Sequence, residues 1–312
     1  MAHTRNGSKD RSRPGRHRKA KNPTRAAKPT ARRALRREVP STVALLADER
    51  DFTAMRRYAS FAFDDHALYL RQMEGLLRAL ASQGVHTTIA LFDPVAYEEY
   101  CADLRLDPDT SASRTRYTAE LAAAGGSVPY EGQPIDRLVL RLIGVAEEQA
   151  TWEYATALLS RAGDCGDCGD DIGRAALDRA SAALRAVLEA AGPGAHHLVC
   201  SVPAGATSLV AVLRAKATAE RPPRLDASAA QVFRTVLACG IAHQSPGGIV
   251  LRTLAPGVPD VVRGWALLGG WLRPLSEAEV FTAYCTDAET GEPIPPEHGV
   301  EYRAGIPLAR PE

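Results

Sequence analysis

Two short apolar segments separated by a helical pattern decide the fold: Thr-Val-Ala-Leu-Leu-Ala at 42–47 and Val-His-Thr-Thr-Ile-Ala-Leu-Phe at 85–92. Each is aliphatic or β-branched and ends at an aspartate, Asp48 or Asp93, which is typical of a buried strand. Between them, apolar side chains recur at helical spacing after Asp65, a favourable N-cap. This pattern predicts a βαβ unit with parallel strands and a right-handed crossover.

The remainder of the chain predicts a helix-rich middle and a mixed C-terminal part. The predicted helices span residues 94–104, 111–124, 136–161, 172–191, 227–242 and 277–285. The predicted strands span residues 197–202, 249–254 and 302–308, and residues 208–213 fit either a hairpin strand or the start of a helix. The predicted fold class is therefore α/β: an N-terminal βαβ segment, a helix-rich middle and a mixed α+β C-terminal part, preceded by a disordered basic arm.

The first 37 residues differ sharply in charge from the rest of the chain. They hold 14 of the 38 Lys and Arg residues and one of the 37 Asp and Glu residues, so they carry +13 while the rest carries −12. Several prolines and the lack of large apolar side chains before Leu35 predict disorder, because this stretch cannot bury enough surface to offset the entropy of ordering. A basic arm on an acidic body favours a polyanion partner, or contact between the arm and its own body.

The arm is suited to nucleic acid because Lys and Arg neutralise phosphates and release counterions without reading sequence. No aromatic residue lies among these bases, so stacking on nucleobases is not expected. The leading interpretation is a binding or regulatory protein whose arm engages DNA or RNA non-specifically. A membrane surface, an acidic protein partner, a merely solvated tail and a misassigned start codon stay open as alternatives. The candidate contact residues are Arg11, Arg13, Arg16, Arg18, Lys19, Lys21, Arg32, Arg33, Arg36 and Arg37.

A turn-rich connector at 127–134 marks the predicted domain boundary. We predict a disordered arm at 1–39, a βαβ-containing segment at 40–127, and a helical hairpin with a mixed α/β segment at 128–312, unless the last two form one continuous domain. No apolar run approaches the ~18 residues of a transmembrane helix. The basic start is not followed by the apolar stretch of a signal peptide, and the body uses arginine almost to the exclusion of lysine, which together favour a cytoplasmic bacterial protein.

Cys165 and Cys168 lie in the loop Gly-Asp-Cys-Gly-Asp-Cys-Gly-Asp-Asp at 163–171, between two predicted helices. Their spacing and the glycine after the second cysteine fit one knuckle of a zinc site, which needs two further ligands. The nearest candidates for these ligands are His196, His197 and Cys200. The surrounding aspartates disfavour a thiolate, which makes a redox role less attractive. An exposed loop without metal is the alternative.

Asp48 and Asp93 follow the two predicted parallel strands, at the edge where open α/β sheets place their ligand sites. Two carboxylates there could share a magnesium ion and a phosphate group, with help from Asp64, Asp65 and His66. The second interpretation is therefore a magnesium-dependent enzyme that acts on a phosphorylated or nucleotide substrate, with Asp48 and Asp93 as its catalytic residues. In the plainer alternative, both aspartates only cap helices. A protein-interaction module with an acidic partner is the third function class.

Overall fold

The computed structural model describes residues 41–310, apart from residues 125, 206, 219, 255, 288 and 289. The helices are α1 (Glu49–Met55), α2 (His66–Ser82), α3 (Pro94–Asp103), α4 (Ser111–Ala124), α5 (Ile135–Leu159), α6 (Ile172–Ala191), α7 (Ala227–Ala242) and α8 (Glu277–Tyr284). The strands are β1 (Ser41–Leu45), β2 (Thr87–Leu91), β3 (Val128–Pro129), β4 (Gly194–Ala204), β5 (Thr207–Thr218), β6 (Arg221–Leu225), β7 (Gly248–Leu254), β8 (Asp260–Leu268), β9 (Trp271–Pro274) and β10 (Val300–Tyr302). The α/β fold class is confirmed. The predicted arm at 1–39, with all its candidate contact residues, lies outside the described residues.

The N-terminal sheet confirms the predicted βαβ unit. β1 and β2 are parallel and in register along their whole length, and β3 pairs antiparallel with β2. Two helices lie between the parallel strands: α2, as predicted, and α1, which the sequence pattern did not reveal. α1 is only seven residues long, and it starts where the Asp48 side chain accepts a hydrogen bond from the amide of Asp51 at 2.8 Å. This cap gives a hydrogen-bond acceptor to one of the backbone amides that have no partner within the first turn of a helix.

The C-terminal sheet is larger, with strand order β10-β8-β7-β4-β5-β6 and β9 paired to β8. Its centre is the long antiparallel hairpin of β4 and β5, so residues 208–213 belong to a strand and not to a helix. Buried and exposed residues alternate along both strands. The buried set packs with apolar side chains of α5, α6 and α7 to form one core. The opposite face of β4 and β5 is solvated, as the alternation requires.

Helix α5 contributes to two separate apolar cores. Leu138 and Leu142, in its first half, pack with the N-terminal sheet, whereas Ala155 and Leu159, in its second half, pack with the C-terminal sheet. A helix of 25 residues spans ~37 Å, which is long enough to reach both. The boundary predicted near residue 127 therefore falls a few residues before a helix that both cores share.

The apolar, glycine-rich stretch at 264–271 forms most of the β8–β9 hairpin. Gly269 and Gly270 occupy the two-residue turn with φ of 58° and 72°. Both central positions of such a turn need positive φ, which glycine adopts without steric penalty. The sequence alone predicts neither a helix nor a strand for these residues, because glycine-rich apolar segments match neither the helical nor the strand period. No helix of the described residues is both long enough and apolar enough to cross a membrane.

Candidate functional site

The strand-end aspartates lie on neighbouring elements of the N-terminal unit. β1 and β2 are adjacent and parallel, so their carboxyl ends meet at one edge of the sheet. Asp48 caps α1, and Asp93 caps α3 by accepting hydrogen bonds from the amides of Val95 at 2.8 Å and Ala96 at 3.2 Å. One oxygen of each carboxylate therefore accepts hydrogen bonds at a helix N-terminus. This is the helix-capping role, the alternative to a magnesium site.

A third carboxyl group joins this pair. The pKa of Asp51 is raised above its ordinary value, first by burial and then by the negative charges of Asp48 and Asp93. A charge acts strongly on a pKa only over a few ångströms, so the three carboxyl groups share one region of the strand edge. Asp51 could have been found from the spacing Asp-x-x-Asp, in which the third residue after an N-cap faces back to the cap.

Of the residues proposed to assist Asp48 and Asp93, Asp64 is exposed, whereas Asp65 and His66 have local structural roles. Asp65 caps α2 by accepting a hydrogen bond from the amide of Leu68 at 2.6 Å. Nε2 of His66 lies 3.1 Å from the carbonyl oxygen of Leu46, so it donates to that acceptor. The amide of Leu46 in turn donates to the hydroxyl of Tyr69 at 3.2 Å, and burial raises the pKa of Tyr69 to about 12. These contacts hold the chain after β1 against α2.

A basic cluster lies on the solvated face of the C-terminal sheet. It consists of Arg214 and Lys216 on β5 and Arg224 on β6, which pairs directly with Lys216. All three side chains are exposed, and His197 on β4 lies opposite Arg214. Residues two apart on a strand point to the same face about 7 Å apart, and neighbouring strands lie about 4.8 Å apart, so these side chains form one patch. Sequence analysis missed the cluster because its members come together only through strand pairing.

A groove of about 1110 Å³ adjoins this cluster. Helix α5, strand β5 and the first turn of α7 form its walls, and Arg214 belongs to both the groove and the basic cluster. Glu148 on α5 also lines the groove. Its pKa is raised, first by desolvation and then by the charge of Asp226. Asp226 also caps α7. The groove therefore carries both charges, with Glu148 and Asp226 as acids and Arg141 and Arg214 as bases.

The cysteine loop joins α5 and α6, as predicted, and its two sulfurs face each other. The pKa of Cys165 is lowered, first by the backbone amides of Cys168 and Asp167, which point at its sulfur. The backbone amide of Asp170 points at the sulfur of Cys168, but the Cys165 thiol and the Asp170 carboxylate outweigh it and raise the pKa of Cys168. The aspartates thus disfavour the thiolate at Cys168, whereas amide hydrogen bonds favour it at Cys165.

The three residues considered as further metal ligands are engaged elsewhere. His196 is completely buried, with Nε2 2.9 Å from the carbonyl oxygen of Gly192 and Nδ1 3.1 Å from the hydroxyl of Thr253. Cys200 lies in the apolar core, where burial raises its pKa to about 12. His197 points to the solvated face of the sheet. Within the part of the chain that the structure describes, no group of three or more His, Cys, Asp or Glu side chains is arranged to hold a metal ion.

Part of the chain is similar to a protein family. Residues 30–133 match the model of a domain of unknown function, DUF8829. The match covers one third of the chain and includes the N-terminal sheet, α1 to α4 and the strand-end aspartates. No curated protein and no solved structure shows significant similarity to the chain.

Proposed function

We propose that this protein binds nucleic acid without sequence preference, through residues 1–37 together with the basic cluster of Arg214, Lys216 and Arg224. The arm alone carries +13, and Lys and Arg side chains release condensed counterions when they neutralise phosphates. The body carries −12, so a polyanion is repelled from most of its surface. An exposed basic cluster is the part of the body that a phosphate backbone held by the arm can approach.

The observation that carries the proposal is the lack of acidic partners in this cluster. Ion pairs elsewhere on the body neutralise Arg57, Arg78, Arg252, Arg273 and Arg303. Among the described residues, no acid lies within ion-pair distance of Arg214, Lys216 or Arg224. Exposed bases without an acidic partner are free to contact the phosphates of a nucleic acid.

The chemistry of the solvated face supports binding without base recognition. The exposed apolar residues next to the cluster are Val199, Val210 and Val212. Valine offers neither a ring for base stacking nor a donor or acceptor for base edges. Contacts of the three bases with phosphates position the nucleic acid but do not read its sequence.

The salt dependence of binding tests this proposal. If 6–8 arm residues contact phosphates, the arm contributes roughly −5 to −7 to the slope of the logarithm of the association constant for duplex DNA against log salt. Contacts from Arg214, Lys216 and Arg224 add about −2 to −3, and replacing these three residues together by glutamine removes that additional part. Fluorescence anisotropy with a labelled duplex of mixed sequence measures both values.

A matched control removes the same charge from ion-paired positions. The triple replacement of Arg57, Arg78 and Arg273 by glutamine is expected to leave the slope unchanged, because each of these bases already has an acidic partner. Full DNA affinity in a chain lacking residues 1–37 would overturn the role of the arm. Equal slopes for the two triple variants would overturn the role of the cluster. A pull-down whose captured partner survives nuclease treatment would favour the acidic protein partner.

A magnesium-dependent enzyme is the second proposal, and the position of Asp48 and Asp93 just after two adjacent parallel strands supports it. Carboxylate oxygens are the ligands that magnesium prefers, and a bound ion would orient a phosphate group at the strand edge. Replacing Asp48 or Asp93 by asparagine then weakens magnesium binding without unfolding the protein, as measured by calorimetric titration. If the aspartates only cap helices, the variants show unchanged magnesium binding and a loss of stability of about 1 kcal/mol or less.

The cellular setting is also a proposal. The replacement of lysine by arginine throughout the body, where Lys216 is the only lysine after Lys28, supports a bacterial origin with a GC-rich genome. We propose a cytoplasmic location with it, because nucleic acid is accessible there. Fractionation of the source cells, with blotting for the protein, tests the location.

A further inference from the structure

The loop between α5 and α6 is closed by its own backbone. The amide of Cys165 donates to the carbonyl oxygen of Asp170 at 2.8 Å, and the amide of Gly169 donates to the carbonyl oxygen of Cys165 at 2.8 Å. Asp164 and Asp171 form an antiparallel bridge at its base. These contacts hold Cys165 and Cys168 at the tip of a short, tied turn, so their positions do not depend on a bound ligand.

The spacing of the two cysteines suits a single metal ion. Cys165 and Cys168 are separated by two residues, and Gly169 follows them, which is the spacing of one knuckle of a zinc site. The bond from the amide of Gly169 to the carbonyl oxygen of Cys165 closes the chain around both residues. The turn therefore presents two candidate ligands side by side.

The turn is accessible from outside the molecule. Cys168 is exposed and Cys165 is half-buried, whereas the other four cysteines are buried. A β-carbon added at Gly163, Gly166 or Gly169 would meet no atom within 4 Å. The loop therefore stands clear of its own body, and another molecule can approach both sulfurs.

A structural zinc ion needs four ligands, and this turn supplies two. In the described residues, no third His, Cys, Asp or Glu side chain joins Cys165 and Cys168 in a group that could hold a metal. Thiolate is a preferred ligand of zinc, and four thiolates form one class of its structural sites. We propose that Cys165 and Cys168 form half of a tetrahedral zinc site, which the same two cysteines of a second copy of this chain complete. A twofold axis then passes through the metal.

The charge of the loop determines how this association responds to salt. Each turn carries the carboxylates of Asp164, Asp167, Asp170 and Asp171. Two such turns repel each other, and the repulsion is screened over ~8 Å at physiological ionic strength. Zinc-dependent association therefore strengthens as salt rises. Nucleic-acid binding weakens under the same change, so the two properties can be separated in one protein.

Titration of the reduced, metal-free full chain with zinc chloride tests the proposal. We expect the mass measured by light scattering to double, with one thiol-dependent zinc ion for each two chains. Cobalt in place of zinc is expected to give the intense visible bands of a tetrahedral site and the near-ultraviolet absorption of thiolate ligands. Cys165→Ser and Cys168→Ser are each expected to remove both the doubling and the thiolate absorption.

A matched variant keeps both thiols and changes only the charge. Asp167→Asn is expected to strengthen the zinc-dependent dimer, because it removes one like charge from each turn. One zinc ion per monomer would overturn the proposal, since the site would then be complete within one chain. Zinc binding and mass that are the same in the wild type and in both serine variants would also overturn it. Circular dichroism of each variant verifies folding, which an exposed loop substitution is expected to preserve.

Discussion

At the scale of single residues, His196 and His197 show how neighbouring positions acquire opposite roles. Successive residues of a strand point to opposite faces of the sheet. His196 faces the core with 0% exposure and both ring nitrogens hydrogen-bonded, whereas His197 faces solvent beside Arg214. Because the carbonyl of Gly192 can only accept, Nε2 of His196 carries the proton and Nδ1 accepts from Thr253.

Alanine substitution should reduce the unfolding free energy at one of the two histidines and not at the other. His196→Ala leaves the Gly192 carbonyl and the Thr253 hydroxyl without their partner and opens a cavity, so we expect a loss of about 2–3 kcal/mol of unfolding free energy. His197→Ala is the control and should change stability by less than about 0.5 kcal/mol. Urea unfolding measures both. Equal effects of the two substitutions would contradict the assignment of faces.

The raised pKa of Asp51 makes a prediction about pH. The folded state holds this proton more tightly than the unfolded chain, where the pKa is near the ordinary 3.8. Its stabilising effect is therefore fully present below that pH and is lost as pH rises through the folded-state pKa. We expect the stability of the wild type, relative to Asp51→Asn, to fall as pH rises from 3.8 through the raised folded-state pKa.

Unfolding free energies of both proteins across this range test the sign. Glu49→Gln, which removes an exposed carboxylate from the same helix, is the control. A stability difference between the wild type and Asp51→Asn that rises with pH would show that the neighbouring charges do not act on Asp51 as described.

At the scale of elements, glycines within helices show what each helix packs against. Gly144 lies in α5, and a β-carbon there would meet no atom within 4 Å. Gly240 lies in α7, and a β-carbon there would lie 2.5 Å from the side chain of Leu267 and 3.0 Å from that of Val202. α7 is therefore pressed against the sheet at a position where only glycine fits, while this side of α5 is open to the groove.

Two matched substitutions follow from this difference. Gly144→Ala should raise the unfolding free energy by about 0.5–1 kcal/mol, because alanine favours the helix and meets no obstacle. Gly240→Ala should lower it by about 1–3 kcal/mol, because the added methyl group overpacks the contact with Leu267 and Val202. Denaturant unfolding of both variants gives the signs. Stabilisation by Gly240→Ala would mean that α7 is not seated on the sheet as described.

At the scale of the whole molecule, charge and packing are divided between different parts of the chain. The first 37 residues carry the positive charge and few large apolar side chains, and the body carries the negative charge. Both apolar cores use α5, which couples the two sheets.

Deleting residues 1–37 should therefore change charge without changing stability. We expect the melting temperature to shift by less than ~2 °C, because almost no large apolar side chain is removed. The truncated protein should elute from an anion exchanger at distinctly higher salt than the full chain, since its net charge falls from +1 to −12. A large drop in melting temperature would show that the arm packs on the body.

The sequence by itself determined the local features of this protein. Apolar period and capping residues predicted the βαβ unit, the two long helices around the cysteine loop, and α7, because these signals act between residues close together in the chain. Charge composition separated the arm from the body. The position of Asp93 at a helix N-terminus and of Cys165 and Cys168 in a loop between helices also follows from local patterns.

Only the tertiary structure decided which distant residues meet. Arg214, Lys216 and Arg224 form a cluster through strand register, and Asp51 joins Asp48 and Asp93 through the pairing of β1 with β2. Residues 208–213 became a strand because β4 supplied a hydrogen-bonding partner along their full length. Local sequence patterns do not predict such contacts. Pairing and burial depend on which elements pack together and not on the neighbours of a residue in sequence.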